Sequence, residues 1–477
     1  TVNINGTISW ASTSGSNIIQ TSSTGTVNFT PAITISKTTQ SIKATLAGGK
    51  IVFLNDFTDQ QNKLSAVASS NVYFGGSYTV NTTAAVWTST ANAYFTGSGK
   101  NVISTTAITF GNVYTSANAS VASSGAGIIT VAGNFNLESG ATYTQNNDLY
   151  VKLNWVNNGG TLVGNGNHVY LTASNSTVRT IGGTSSTSFP NLHIGKPAGT
   201  WAVKYTMNAN VSCSSLTLES NSGNTSYLTQ SGTTSLTVTN DVTINQLTVT
   251  KVHSWYINAG SAIVGGNLIF SGTNNTVGRT TQVVVTTGSF TLNGSTTFMA
   301  NTASSTEIIS VTTGTLTFNG SLSLPQGSGV LRVTNTGTIN FNGAAPSLSL
   351  NATVAGGTNA TFTTTAGCYL NFANGLTNAN TALTIKNGSY TTFTGNSTVT
   401  PTAAITFGHL IINSGATLAL AGDITVTNNW LNNGGTFSPS TATVTFTPAA
   451  NITQTITKSG GETFYILTAN ISTATLQ

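Results

Sequence analysis

The sequence predicts an all-β fold, a right-handed parallel β-helix (solenoid) with coils of about 21–26 residues. Three observations predict it. One long stretch occurs twice without a gap, short strand-like segments return at a period in the low twenties, and charge is almost absent.

The duplicated stretch is 134–194, which a shift of 275 positions places on 409–469. Ser139-Gly140-Ala141-Thr142 falls on Ser414-Gly415-Ala416-Thr417, and Asp148 on Asp423. Asn154-Trp155-Val156-Asn157-Asn158-Gly159-Gly160-Thr161 falls on Asn429-Trp430-Leu431-Asn432-Asn433-Gly434-Gly435-Thr436. About nineteen of sixty-one positions are identical, and most others exchange like for like.

Spacing says what the unit is. Leu149, Val151 and Leu153 alternate with polar residues, as a strand with one buried face does. Asn157-Asn158-Gly159-Gly160 then turns the chain, because Asn and Gly tolerate the positive φ of a sharp corner. Further strands, His168–Thr172 and Phe189–Ile194, bury Val169, Leu171, Leu192 and Ile194. Asp148 to Val169 is 21 residues and Val169 to Leu192 is 23, so Leu149, Val169 and Leu192 are expected to share one interior on successive coils.

Only 5% of the 477 residues are charged, against roughly 25% in ordinary soluble domains. Disorder is rejected, because β-branched and aromatic residues recur at strand spacing throughout. A solenoid accounts for the missing charge. Equivalent side chains on adjacent coils lie about 4.8 Å apart, where like charges repel by roughly 0.9 kcal/mol even at the dielectric of water. Stacked Thr, Ser and Asn can instead bond along the ladder.

Residues 1–106 are expected to form N-terminal strands (Thr1–Trp10, Gly25–Thr30, Ala32–Ser36, Asn71–Gly76, Ala84–Phe95) with a cap. Thr58-Asp59-Gln60-Gln61 has capping-box spacing, which predicts a short helix there. Residues 107–477 are expected to form one continuous solenoid holding the duplicated unit. Ala107–Gly111 recurs as Ala404–Gly408. The Asn-Gly corners Asn293-Gly294, Asn319-Gly320 and Asn342-Gly343 are 26 and 23 residues apart. The whole chain would make roughly twenty coils.

The duplicated stretch resembles repeats of long secreted and surface proteins of Bacteroidota-type bacteria. The resemblance is carried by Ser414–Leu418, Asp423–Val426, Asn429–Phe437, Thr443–Phe446, Gln454–Ile456 and Phe464–Leu467. It covers about a quarter of the chain well. Such proteins are typically exported by the type IX route and act as adhesins, gliding-surface components or fibres. The resemblance implies that a C-terminal sorting domain was cleaved or omitted, and the start at Thr1 without a signal sequence is expected to mark a mature secreted product whose leader was removed. It speaks to architecture, and function drawn from it is analogy.

Chemistry is thin. The nine acidic residues offer few pairs of the kind that polysaccharide lyases and hydrolases need. Glu219 and Asp241 are 22 apart, but one follows a strand and the other precedes one. Asp148 and Asp423 read as corner residues bonded to backbone. His168, His193, His253 and His409 do not cluster in sequence, and no calcium or zinc spacing occurs, so no metal or other cofactor is expected. Trp155 and Trp430 read as packing residues beside their corners, with an exposed sugar platform as the alternative. Cys213 and Cys368 read as two buried thiols, too far apart along a solenoid to bridge. The net charge is +5, and the only tight basic cluster is Lys37, Lys43, Lys50 and Lys63. That is too little for nucleic acid. No apolar run of eighteen residues exists, so nothing is expected to span a membrane.

These readings point to an extracellular or cell-surface structural protein, not an enzyme, a rod that polymerises with its own kind through the solenoid ends. The alternatives are an adhesin with a glycan or cell-surface partner, and a polysaccharide-degrading enzyme or tailspike.

Overall fold

The structure, a computed structural model, describes all residues except 7, 9–16, 22–23, 45–47, 68, 82–85, 174–176, 196–201, 221–224, 247–251, 273–279, 299–305, 325–328, 351–360, 380–381, 449–451 and 472–473. Parts of the expected strands Thr1–Trp10 and Ala84–Phe95 fall outside the described residues. The chain forms two compact units, Thr1–Thr217 and Leu218–Gln477. Each contains one copy of the duplicated stretch. Both are parallel β-solenoids, and no helix occurs among the described residues.

In the first unit a coil consists of three short strands joined by corners. Asn71–Phe74 turns into Tyr78–Val80, then into Val86–Trp87, and the chain returns alongside itself as Asn92–Phe95. Inward and outward residues alternate: Val72 and Phe74 are buried while Tyr73 faces out. Register is kept to the residue, with Phe29, Phe53, Phe74 and Phe95 paired in succession. Their rings stack at 5.2, 5.6 and 5.2 Å. The second unit repeats the device with Phe318, Phe341, Phe372 and Phe393 at 5.9, 4.7 and 5.8 Å. Each such ring contributes about 2–3 kcal/mol by leaving water. Leu149 pairs with Val169 and Val169 with Leu192, all at most 1% exposed, so these three do share one interior.

The structure departs from the sequence reading in four places. Around Thr58-Asp59-Gln60-Gln61 there is a strand, Phe57–Asp59, and a corner, not a helix. Asp59 is fully buried, and its carboxylate accepts the backbone N–H groups of Gln61, Lys63 and Leu64. A residue that caps a helix can equally cap a corner when the next strand must begin at once. Second, 134–194 contains strands beyond the face already inferred: Phe135–Leu137, Thr142–Gln145, Trp155–Asn157 and Thr161–Gly164. Third, coil steps range more widely than 21–26, from 19 residues (Tyr390 to His409) to 31 (Val330 to Thr361). Fourth, longer coils mean fewer of them, about 17 turns and not roughly twenty.

Candidate functional site

The motif residues are structural, and their roles differ. The buried Asn157 ties its corner together. Its Oδ1 accepts the N–H of Gly159 (3.1 Å) and of Gly160 (2.9 Å), and its Nδ2 donates to Ser186 O (2.7 Å) and Thr187 Oγ1. Asn432 does the same, accepting from Gly434 (3.1 Å) and Gly435 (2.8 Å) and donating to Glu462 (2.7 Å). The second Asn matters less: Asn158 reaches only Glu138, at 3.4 Å, and Asn433 is exposed. Gly159 and Gly434 have the positive φ expected of a corner, 109° and 96°. Gly160 and Gly435 do not. They are glycine because a Cβ would approach backbone oxygens of the preceding coil, Glu138 O and Asn413 O, at 2.9 and 2.5 Å.

Trp155 and Trp430 are 0% exposed, so neither is a sugar platform. Trp155 Nε1 donates to Thr187 Oγ1 and Trp430 Nε1 to Glu462 Oε2, both at 3.1 Å. Thr187 and Glu462 are equivalent positions, so the acceptor place is kept although the residue changes. Glu462 also pairs with Lys458 at 2.8 Å.

The corner aspartates satisfy the next coil. Asp148 Oδ1 accepts the His168 N–H at 3.0 Å and Asp423 Oδ1 accepts the Thr443 N–H at 2.7 Å. Asp56 and Asp241 do likewise for Ser77 and Asn267. In the duplicated unit Asn134 and His409 are equivalent, and each accepts the N–H of the following coil, Asn134 through Oδ1 and His409 through Nδ1. The requirement is an acceptor, not a charge. Asp148→Asn is therefore expected to leave the melting temperature unchanged, whereas Asp148→Ala should cost about 1–2 kcal/mol, read by chemical denaturation.

Outward positions form uncharged ladders. Asn71, Asn92 and Asn112 are linked side chain to side chain at 2.9 Å per step. Asn112 then accepts the N–H of Asn134. Asn293, Asn319 and Asn342 repeat this at 2.8 and 3.0 Å. Aromatic ladders stand beside them: Tyr73–Tyr94–Tyr114 at 4.5 and 4.6 Å, and Tyr369–Tyr390–His409 at 5.1 and 4.5 Å.

The histidines do not all stand apart. His168 Nδ1 and His193 Nε2 are 2.9 Å from each other, although 25 residues separate them. That interval is one coil, which is the signal that finds the pair once the period is known. Burial, followed by the His168 charge, pushes His193 down to about 4. In the second unit burial pushes the 1%-exposed His253 down to about 4 as well. A folded-state pKa below the unfolded value of about 6.5 means stability is full above that pH and is lost as pH falls toward 4. For His253 the loss is about 3 kcal/mol. Thermal melts at pH 7 and pH 4 should show it, and His253→Leu should flatten the dependence.

Glu219 and Asp241 are not brought together as the acid pair of a glycosidase would be. Glu219 lies against Asn245 at the exit of the strand Val242–Gln246, while Asp241 stands at its entry. Four residues of strand is about 13 Å, beyond the carboxylate spacing of either glycosidase class. Burial raises the Glu219 carboxyl, and its bond to Asn245 opposes this. Among the described residues no three His, Cys, Asp or Glu side chains gather as a metal site. Cys213 and Cys368 are buried free thiols, and burial pushes Cys213 up to about 12. Among the described residues no helix is long and apolar enough to cross a membrane. No protein-family model, curated protein or solved structure matches the chain.

Proposed function

We propose that the chain is an extracellular structural protein without enzymatic activity, a rod-like β-solenoid whose copies join coil to coil into a surface fibre or filament. One feature carries this reading: the outward ladders Asn71–Asn92–Asn112 and Asn293–Asn319–Asn342 link adjacent coils side chain to side chain without charge. A coil of this kind pairs with any further coil of matching register, and a second copy supplies one; a contact of this head-to-tail kind does not close.

Electron microscopy and sedimentation of the purified protein test it. Filaments that lengthen with concentration are expected. Monodisperse particles at high concentration would overturn the proposal. Depolymerisation of an acidic polysaccharide, lost in Glu219→Gln, would overturn its non-enzymatic part.

A second reading, an adhesin for glycans, is favoured by the half-exposed Tyr73–Tyr94–Tyr114 ladder. Stacked rings present their edges to solvent over three coils, a surface on which a sugar ring can pack. Saturable binding on a glycan array, lost in Tyr114→Ala, would support it.

A further inference from the structure

The basic cluster noted in the sequence has a place in the fold that the structural role does not use. Lys43 and Lys63 line a groove of about 270 Å³ in the first unit, with the hydroxyl-bearing Thr38, Thr39, Ser41 and Ser65. Its floor is the outward face of two adjacent strands, Gln40–Ala44 and Leu64–Ala66, where Lys43 pairs with Ser65 and Ile42 with Leu64. Lys43 and Lys63 therefore sit on neighbouring coils within two residues of register. Lys37, next to Thr38, is exposed at the rim.

Two features set this place apart. Lys50, Lys100 and Arg332 stand singly on outward strand positions, whereas here two ammonium groups lie on adjacent coils and repel one another. Neither makes an ion pair among the described residues, and no carboxylate lines the groove. The Asp59 carboxylate, in the same corner as Lys63, is fully buried and taken up by backbone N–H groups, and it makes no ion pair with either ammonium group. A ligand bringing negative charge between the lysines, and oxygens for the surrounding hydroxyls, would relieve the repulsion and gain charge-assisted hydrogen bonds.

We propose that this groove binds an anionic polysaccharide, with Lys43 and Lys63 on its carboxylate or sulfate groups and the Ser and Thr hydroxyls on its sugar oxygens. The volume holds one or two sugar rings, and the open groove lets a chain enter and leave. Nucleic acid fits less well, because no aromatic side chain lines the groove for base stacking and the cations are few. The proposal is independent of filament formation.

The test is binding of the full chain, at low and moderate salt, to polygalacturonate, dextran sulfate, neutral dextran and duplex DNA. Binding to one or both anionic polysaccharides is expected, the preferred one identifying carboxylate or sulfate as the ligand group. Lys43→Gln with Lys63→Gln should weaken it roughly tenfold or more. Lys152→Gln with Lys204→Gln, an equal change of net charge elsewhere, should leave it within about twofold. Both double variants should melt as the parent does. Equal weakening by the two pairs would show attraction to net charge alone and overturn the proposal. So would unchanged binding in the groove variant, no binding to either anionic polysaccharide, equal binding to neutral dextran, or tighter binding to DNA.

Discussion

Replacing Gly320 by alanine should destabilise the second unit by at least about 3 kcal/mol. The glycines of the Asn-Gly corners stack on one another: Gly266, Gly294, Gly320 and Gly343 occupy one column. A Cβ on Gly294 would lie 2.3 Å from Gly266 O, and one on Gly320 would lie 2.2 Å from Gly294 O. No flexible side chain can yield there, because the obstacle is the backbone of the preceding coil. The coils must separate locally, breaking ladder hydrogen bonds and opening the Phe318–Phe341 stack. A second column, Gly260, Gly288 and Gly314, has the same property, with contacts of 2.1 and 2.2 Å. Gly461→Ala is the contrasting case. It has φ of 85° and open space around the added methyl, so only left-handed strain of about 1 kcal/mol is expected. Denaturant unfolding of both variants reads the difference directly.

Loss of Asn157 should cost about 3–5 kcal/mol, because one buried amide holds four partners from two segments. Asn157→Asp should be no better than Asn157→Ala. It keeps the acceptor for Gly159 and Gly160 but turns a carboxylate oxygen toward Ser186 O, with a charge now buried. Asn158→Ala, one residue on, should cost under about 1 kcal/mol. At the equivalent Asn432, alanine removes a donor from Glu462, whose side chain is 2% exposed and would keep only Trp430, Lys458 and local backbone. Hydrogen exchange across each corner would localise the damage to the coil concerned.

The period of the fold was legible in the sequence because inward positions such as Leu149, Val169 and Leu192 recur at coil spacing. The corner role of Asp148 was legible too, since an Asp before a strand has few other uses. Two of the three faces were not. Trp155–Asn157 turns Val156 outward and the polar Asn157 inward, and Thr161–Gly164 buries only Leu162, so neither shows the alternation of apolar and polar residues that marks a strand. Asp59 misled because Thr-Asp-Gln-Gln carries the same local capping signal for a helix and for a corner. The His168–His193 pair and the Lys43–Lys63 groove were hidden for one reason. Neighbours across coils are about twenty residues apart in sequence, and that interval means contact only once the coil boundaries are known.

Engineered disulfides test the coil-on-coil register most directly, in a background with Cys213→Ala and Cys368→Ala. Tyr150 and Tyr170 are register partners on adjacent coils with rings 4.4 Å apart, and His193 lies one coil further. Adjacent strands are about 4.8 Å apart, inside the range a disulfide spans, while two coils are about 9.6 Å, beyond it. Tyr150→Cys with Tyr170→Cys should oxidise readily, and Tyr150→Cys with His193→Cys should stay reduced. Failure of the first pair to close, or closure of the second in its place, would contradict the parallel stacking of coils from which every other conclusion here is drawn.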